Sequence, residues 1–230
     1  MDRTELLSKI KDEVINLKKS PLYKERVKNK VFPVIGEGSH FAKIMFVGEA
    51  PGKNEAKTGR PFCGASGKIL DELLASVGID RKDVYITNIV KDRPPLNRDP
   101  FPLEIKIYGS YLDRQIEIIR PKVIATLGRF SMCYIMKKFN FTDYYTGLTS
   151  IGQIHGRVFD VEVKYGPDFS SSTKGRDRKN EDPRFANRFS NEANRDKIKI
   201  VPLYHPAVAI YNRNTMSVLK TDFQILKQFK

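Results

Sequence analysis

A chain of 230 residues suits one α/β core and is too short for two ordinary domains with a linker between them. Forty-one Lys and Arg against 27 Asp and Glu leave a net charge of +14, with a sequence pI near 9.7, which points to a polyanionic partner, nucleic acid or an anionic membrane surface. Two cysteines, Cys63 and Cys133, cannot make a disulfide framework, and neither a secretory leader nor a run of the roughly 18 apolar residues that cross a bilayer is present, so the expectation is a soluble, intracellular protein.

In chain order, residues 2–18 carry Leu6, Leu7, Ile10, Val14 and Leu17 at helical spacing with charged residues between them, which predicts a first amphipathic helix. Four short runs rich in Ile, Val and Tyr, at 43–47, 84–90, 123–127 and 198–204, predict core strands. Between the first two, residues 66–78 predict a crossover helix with Ser66 as N-cap, a stripe at Ile69, Leu70, Leu73, Leu74 and Val77, and Gly78 as terminator. Further helices are predicted at 103–119, ended by Pro121, at 130–139 and at 215–229. An edge strand is read at 158–163. Residues 166–197 break the rhythm: they are polar, with eight basic and six acidic side chains and almost no apolar periodicity, and predict a solvated surface insertion. Alternating strands and helices imply a three-layer αβα sandwich around a mostly parallel four-stranded sheet, as one domain over residues 1–230.

In such a sheet ligands bind beyond the carboxyl ends of the strands. The unusual residues of the chain fall there: Gly48-Glu49-Ala50-Pro51-Gly52 after the first strand, Asn88 after the second, Gly128-Arg129 after the third, and His205-Pro206-Ala207 after the fourth. Glycines and a proline around Glu49 let backbone approach a ligand closely. The loop has neither Walker A nor dinucleotide-binding spacing, which leaves nucleoside triphosphate hydrolysis without support. The carboxamide of Asn88 offers the paired donor and acceptor that read a base edge, and Phe62 in Gly-Arg-Pro-Phe offers a stacking face. Taken singly, Asn88 serves as well as a strand-end cap and Phe62 as core, while His40 and His155 lie away from any strand end and are read as structural or surface residues. Arg93 and Arg98 are open between phosphate contact and an ion pair. In Val208-Ala209-Ile210-Tyr211, just after His205, an apolar side chain could wedge into a nucleic-acid partner or pack in the core.

Several motifs in order, GEAPG at 48–52, GRPF at 59–62, YITN at 85–88, KxRPPxNRDP at 91–100, RPKVIATLGR at 120–129 and HPA at 205–207, give the chain a sequence that resembles the family 4 uracil-DNA glycosylases over nearly its whole length apart from residues 166–197. The resemblance implies base excision repair: uracil is flipped out of single- or double-stranded DNA and its N-glycosidic bond hydrolysed to leave an abasic site, by a protein expected to act as a monomer. It assigns Phe62 to stacking on uracil, Asn88 to its N3 and O4 edge, His205 to O2 and the uracil anion, and the backbone of Gly48, Glu49 and Ala50 to the same pocket wall. Glu49 is left between favouring the cationic sugar, orienting water and shaping the pocket. Ala50 stands where the best-known uracil glycosylases have a water-activating Asp, and Asn97 is a secondary candidate for placing water. Arg93, Arg98, Ala209, Ile210 and Tyr211 are the DNA-contact candidates.

One departure stands out. Members of family 4 usually hold a four-iron, four-sulfur cluster on four cysteines, and the motifs place those positions at Leu17, Ser20, Asp92 and Tyr108. Without thiolates no such cluster is expected, and no other cofactor or metal is implied; packing around Leu17 and Tyr108, with Asp92 bonded to a nearby Lys or Arg, is expected to tie the N-terminal segment instead. Two further readings stay open: a DNA- or uracil-binding protein without turnover, and a glycosylase of altered range acting on hypoxanthine, xanthine or mispaired thymine, since Gly52 stands where some relatives have a bulky aromatic. A covalently trapping relative is disfavoured because residues 96–99 contain no histidine.

Overall fold

The structure is a computed structural model that describes residues 1–141, 149–165 and 195–230, Arg195 through its backbone alone. The chain enters through α1 (Arg3–Ile15), started by a reciprocal capping box between Asp2 and Glu5, and α2 (Pro21–Lys28), capped by Ser20 with Pro21 in its first turn. The predicted single helix at 2–18 is therefore shorter, and the turn after it returns Leu17 to the core. The sheet comprises β1 (Glu37–Gly38), β2 (Ile44–Gly48), β3 (Tyr85–Asn88), β4 (Val123–Leu127), β5 (Phe159–Lys164) and β6 (Arg195–Leu203), in the order β1-β3-β2-β4-β6-β5.

Four strands are parallel and form the expected core, and two antiparallel edges enlarge the sheet from four strands to six. The edge read at 158–163 is β5; the two-residue β1 is too short to leave a periodic signal. The predicted insertion falls mostly outside the described residues, and its last three positions, 195–197, belong instead to β6, paired with β5.

The alternation within β2 shows how the layers are made. Met45 and Val47 join Ile10, Val14, Tyr108, Leu112, Ile116 and Met132 in one apolar cluster, whereas Ile44 and Phe46 join Leu70, Leu73, Leu74, Leu219 and Phe223 in the other. A parallel strand buried on both faces is apolar throughout for this reason. One face is covered by α1, α5 (Pro102–Ile119) and α6 (Arg129–Lys138), the other by α4 (Ala65–Ser76) and α9 (Thr215–Phe223). The remaining short helices are α3 (Lys53–Thr58), α7 (Ile151–Ile154) and α8 (Val208–Tyr211). Helix α4 begins one residue before Ser66, with Gly64 at its N-cap. The helix predicted at 215–229 ends at Phe223 and continues as a tighter 3-10 turn over Gln224–Phe229. Among the described residues no helix is long and apolar enough to cross a membrane.

Strand register aligns the carboxyl ends of the parallel strands. Gly48 lies opposite Asn88, and Leu127 opposite Leu203, so the ends of β3, β2, β4 and β6 rise to a common rim from which the loops at 48–52, 88–98 and 205–207 depart.

Candidate active site

At that rim lies a cleft of about 330 Å³ lined by Glu49, Ala50, Pro51, Gly52, Glu55, Phe62, Ser66, Asn88, Pro94, Asn97, Arg98, His205 and Ala207. Its floor depends on Gly48. A Cβ there would sit 2.3 Å from Asn88 Oδ1 and 2.8 Å from the Phe62 ring, closer than real Cβ atoms come, so only glycine lets the carboxamide and the ring converge. The carboxamide of Asn88 is buried, faces the cleft and makes no hydrogen bond to a described residue. Its polar atoms open to the cleft rather than to a protein partner, which leaves them free to bond whatever enters it.

Phe62 is buried with its backbone at φ 47°, a left-handed conformation costly for a bulky side chain. The strain is held in place by neighbours: Glu55 Oε1 accepts from the amides of Cys63 at 3.0 Å and Gly64 at 2.8 Å, and Arg81 donates to the Pro61 carbonyl at 2.6 Å. Gly67 completes the support, since a Cβ there would strike the Phe62 carbonyl. The ring lies 5.6 Å from that of His205, tilted by 32°.

His205 carries its proton in a defined place. Its Nδ1 accepts from the Ala207 amide at 3.1 Å, which assigns the hydrogen to Nε2. Burial pushes its pKa down to about 4, outweighing the opposing pull of Glu55, so near neutrality His205 is an uncharged donor. Glu49 is displaced the other way: burial, and then the charge of Asp99, raise its pKa to about 7 against the lowering effect of Arg129. Its carboxyl makes no hydrogen bond to a described residue.

The other candidates separate. Asn97, at φ 56°, lines the cleft and accepts from Arg93 Nε at 2.6 Å through Oδ1. Arg98 forms an ion pair: its two terminal nitrogens reach the fully buried Glu104, at 2.9 and 2.6 Å, with the guanidinium 3.7 Å from the centre of the Phe101 ring. Of the wedge candidates, Val208 and Ala209 pack against the core, whereas Ile210 and Tyr211 are exposed. His40 meets Thr4 at the surface, and His155 binds Asp222 at 2.7 Å, both structural.

Sequence reasoning missed Glu55 and Lys91. Glu55 hides in the six-residue α3, whose length leaves no periodic signal. Lys91 is fully buried behind Asn88, where Nζ donates to the Asn88 carbonyl at 2.6 Å, Gln115 Oε1 at 2.6 Å and Thr87 Oγ1 at 2.7 Å. Burial lowers its pKa well below the ordinary lysine value, while the three acceptors match the three hydrogens of an ammonium group.

The four positions assigned by resemblance to an iron-sulfur cluster do not fit one. Ser20 Oγ lies 2.7 Å from Tyr108 OH, which donates to Asp92 Oδ2 at 2.7 Å, and Asp92 Oδ1 lies 3.3 Å from Arg26 Nε as an ion pair without the alignment of a hydrogen bond. Arg26 also donates to the carbonyls of Val14 and Ile15, and Leu17 is buried alongside. Oxygen and carbon occupy the places of thiolates, and these contacts join α1, α2, α5 and the loop after β3. Among the described residues no group of three or more His, Cys, Asp or Glu is disposed to hold a metal ion.

A sheet whose four central strands are parallel, covered by helices on both faces and with a cleft at its strand ends, defines an α/β fold. The chain matches the family described as the Uracil DNA glycosylase superfamily over residues 35–227. It is 42% identical over 223 residues to a type-4 uracil-DNA glycosylase of Sulfurisphaera tokodaii, covering 96% of this chain and 84% of that one. It is 38% identical over 220 residues to the type-4 enzyme of Archaeoglobus fulgidus, with 96% and 91% covered, and 41% identical over 229 residues to that of Saccharolobus solfataricus, with 99% and 87% covered. The chain belongs to the uracil-DNA glycosylase superfamily.

Proposed function

We propose that this protein is a monofunctional uracil-DNA glycosylase of base excision repair, acting as a single copy on uracil-containing DNA inside the cell. The observation that carries this reading is the convergence, over Gly48, of an unpaired carboxamide, a stacking ring and a neutral imidazole donor in one cleft. A uracil flipped out of the strand lies against Phe62, with Asn88 accepting from its N3 hydrogen and donating to O4. As the C1′–N1 bond breaks, the electron pair passes to the base, and Nε2 of His205 donates to O2, where charge gathers. Water then bonds to C1′; one of its protons passes to Glu49, which returns it to solvent, and the uracil anion takes a proton from solvent on leaving. Glu49 as carboxylate also favours the cationic sugar. Asn97 presents its amide hydrogens toward the attacking water, and Arg93, Ile210 and Tyr211 meet the DNA around the cleft. The protein works without an iron-sulfur cluster, a reading supported by the hydroxyls of Ser20 and Tyr108, the carboxylate of Asp92 with its ion pair, and the apolar Leu17 at the four positions.

The test incubates the protein with single- and double-stranded oligonucleotides bearing one uracil, hypoxanthine, xanthine or mispaired thymine, followed by alkaline cleavage of abasic sites. Uracil should be excised, and Asn88→Ala and His205→Ala should each slow excision about 100-fold or more with little change in binding. Binding without cleavage of any substrate overturns the reading in favour of a binding protein, and excision confined to another base overturns the uracil assignment. Stoichiometric iron with thiolate-to-iron absorption in freshly purified protein refutes the cluster-free reading.

A further inference from the structure

The polar groups behind the cleft hold a buried charge. Lys91 is fully buried, and its Nζ lies 2.7 Å from Thr87 Oγ1 and 2.6 Å from both the Asn88 carbonyl and Gln115 Oε1. None of these oxygens has a hydrogen to give back. The Thr87 hydroxyl donates to the Ile35 carbonyl at 2.6 Å, and the carboxamide nitrogen of Gln115 donates to the same carbonyl and to Tyr85 OH, both at 3.0 Å, which turns Oε1 toward the lysine. Three acceptors around one nitrogen need three hydrogens, and only the ammonium form supplies them. Burial pulls the other way, lowering the pKa of the group; the surrounding acceptors are what hold the charge. Those acceptors are all uncharged, and the adjacent Asp92 is taken up by Arg26 and Tyr108, so among the described residues no carboxylate forms an ion pair with Lys91.

A buried cation without a counter-ion is costly, and its position says what balances it. Lys91 bonds to the backbone of Asn88, whose carboxamide lines the cleft, but does not itself reach the cleft. It therefore touches neither base nor sugar. Resting on the proposed glycosylase activity, we propose that Lys91 is a positioning residue whose ammonium, acting through Asn88, offsets the negative charge that uracil gains as it leaves. The lysine transfers no proton. The C1′–N1 electron pair passes to the base, whose edge is held by Asn88 and His205, while the ammonium polarises the Asn88 peptide and supplies a fixed positive field in a site of low dielectric. Neutral bound uracil gains little from that field, and the departing anion gains much. An interaction stronger in the transition state than in the ground state raises the rate rather than the affinity.

A field acting on the leaving group has a signature that a mere strut lacks: it matters less when the leaving group needs less help. Single-turnover excision of uracil and of 5-fluorouracil, whose fluorine stabilises the departing anion, is measured in single-stranded DNA for wild type, Lys91→Met, Gln115→Glu and Thr87→Val. At an effective dielectric of about 20, a unit charge on the order of 10 Å from a developing anion changes a rate by about 10-fold. Lys91→Met should slow uracil excision by about that factor and 5-fluorouracil excision only about 3-fold, with DNA binding within about 2-fold of wild type. Gln115→Glu sets a carboxylate against the ammonium, keeping an acceptor while cancelling the charge, and should widen the gap between the two bases in the same way. Thr87→Val removes one acceptor and no charge, and should keep the wild-type ratio. Equal losses on both bases in Lys91→Met and Gln115→Glu, or a gap as wide in Thr87→Val, overturn the field. A wild type that excises neither base overturns the glycosylase reading instead. The cation is then judged by binding of free 5-fluorouracil as the base ionises with rising pH: an affinity that climbs about 5-fold further for wild type than for Lys91→Met supports it, and equal pH dependence refutes it.

Discussion

Replacing Glu49 with Gln separates its charge from its shape, and the structure gives the pH window in which the charge matters. With a pKa of about 7, roughly a tenth of the side chain is ionised at pH 6 and nine tenths at pH 8, so a reaction needing the carboxylate gains about 10-fold between those values. His205, at about 4, stays neutral throughout and adds no slope. The assay is single-turnover release of uracil from single-stranded DNA at constant ionic strength. Wild type should rise with a midpoint near 7, and Glu49→Gln should be flat and about 100-fold slower at pH 8. Asp99→Asn removes a charge that raises the Glu49 pKa, and Arg129→Met one that lowers it, so the midpoint should move down in the first and up in the second. The effect on stability has a fixed sign. A carboxyl whose folded pKa exceeds its unfolded value contributes stability that is present below about 4.5 and lost as pH rises through about 7. Screening by water in the cleft holds the loss to about 1 kcal/mol, visible as wild type weakening relative to Glu49→Gln between pH 5 and 8. A flat wild-type rate from pH 6 to 8, or a Gln variant that keeps the slope, refutes a catalytic carboxylate at this position.

Gly48→Ala should abolish measurable excision while leaving circular dichroism native, because its Cβ occupies the space of Asn88 Oδ1 and the Phe62 ring; an active alanine variant would show that the floor can yield. Lys91→Met strips the Asn88 carbonyl and Gln115 Oε1 of their donor and should lower urea-measured stability by about 2 kcal/mol, with a fall in excision; a more stable variant would mean that desolvation of the ammonium outweighs its bonds. Arg26→Met leaves Asp92 buried without its cation and should destabilise by about 3–5 kcal/mol, whereas Arg26→Met combined with Asp92→Leu should recover part of the loss. Additive losses in the double variant would argue against the pairing.

The parallel core was legible because strands buried on both faces leave continuous apolar runs, and α5 because its stripe and its stop at Arg120-Pro121 agree. Pattern reading failed where the signal is short or the partner distant. Two residues of β1 and six of α3 carry no period, and Ser66 resembles an N-cap although Gly64 takes that place. A lysine reads as solvent-facing in one dimension, yet Lys91 is enclosed by Thr87 and Asn88 from the end of β3 and by Gln115 from α5. Arg98 could not be assigned until Glu104 was seen fully buried with both oxygens turned toward it. Asn88, Phe62 and His205 stood out through motif order, while the need for Gly48 became evident only from strand register.

The end of β3 and the segment after it concentrate these roles on one short stretch of chain. Asn88 points into the cleft, Lys91 holds its carbonyl from behind, Asp92 binds Tyr108 and Arg26, Leu96 projects to solvent, and Arg98 locks onto Glu104. Successive anchors on α2 and α5 therefore limit how far the base-facing carboxamide and the exposed leucine can shift relative to each other. Rigidity is what each needs, since a strained backbone persists only where its surroundings determine it and a carboxamide reads a base edge only when held in place. On this view the buried ion pair at Asp92 affects catalysis through the loop, and substitutions there should slow excision in proportion to the mobility they give Asn88. Hydrogen exchange of the Ile89 and Val90 amides, which donate to the carbonyls of Gly48 and Glu49, measures that mobility. Faster exchange at these amides without slower excision would uncouple the anchor from the chemistry.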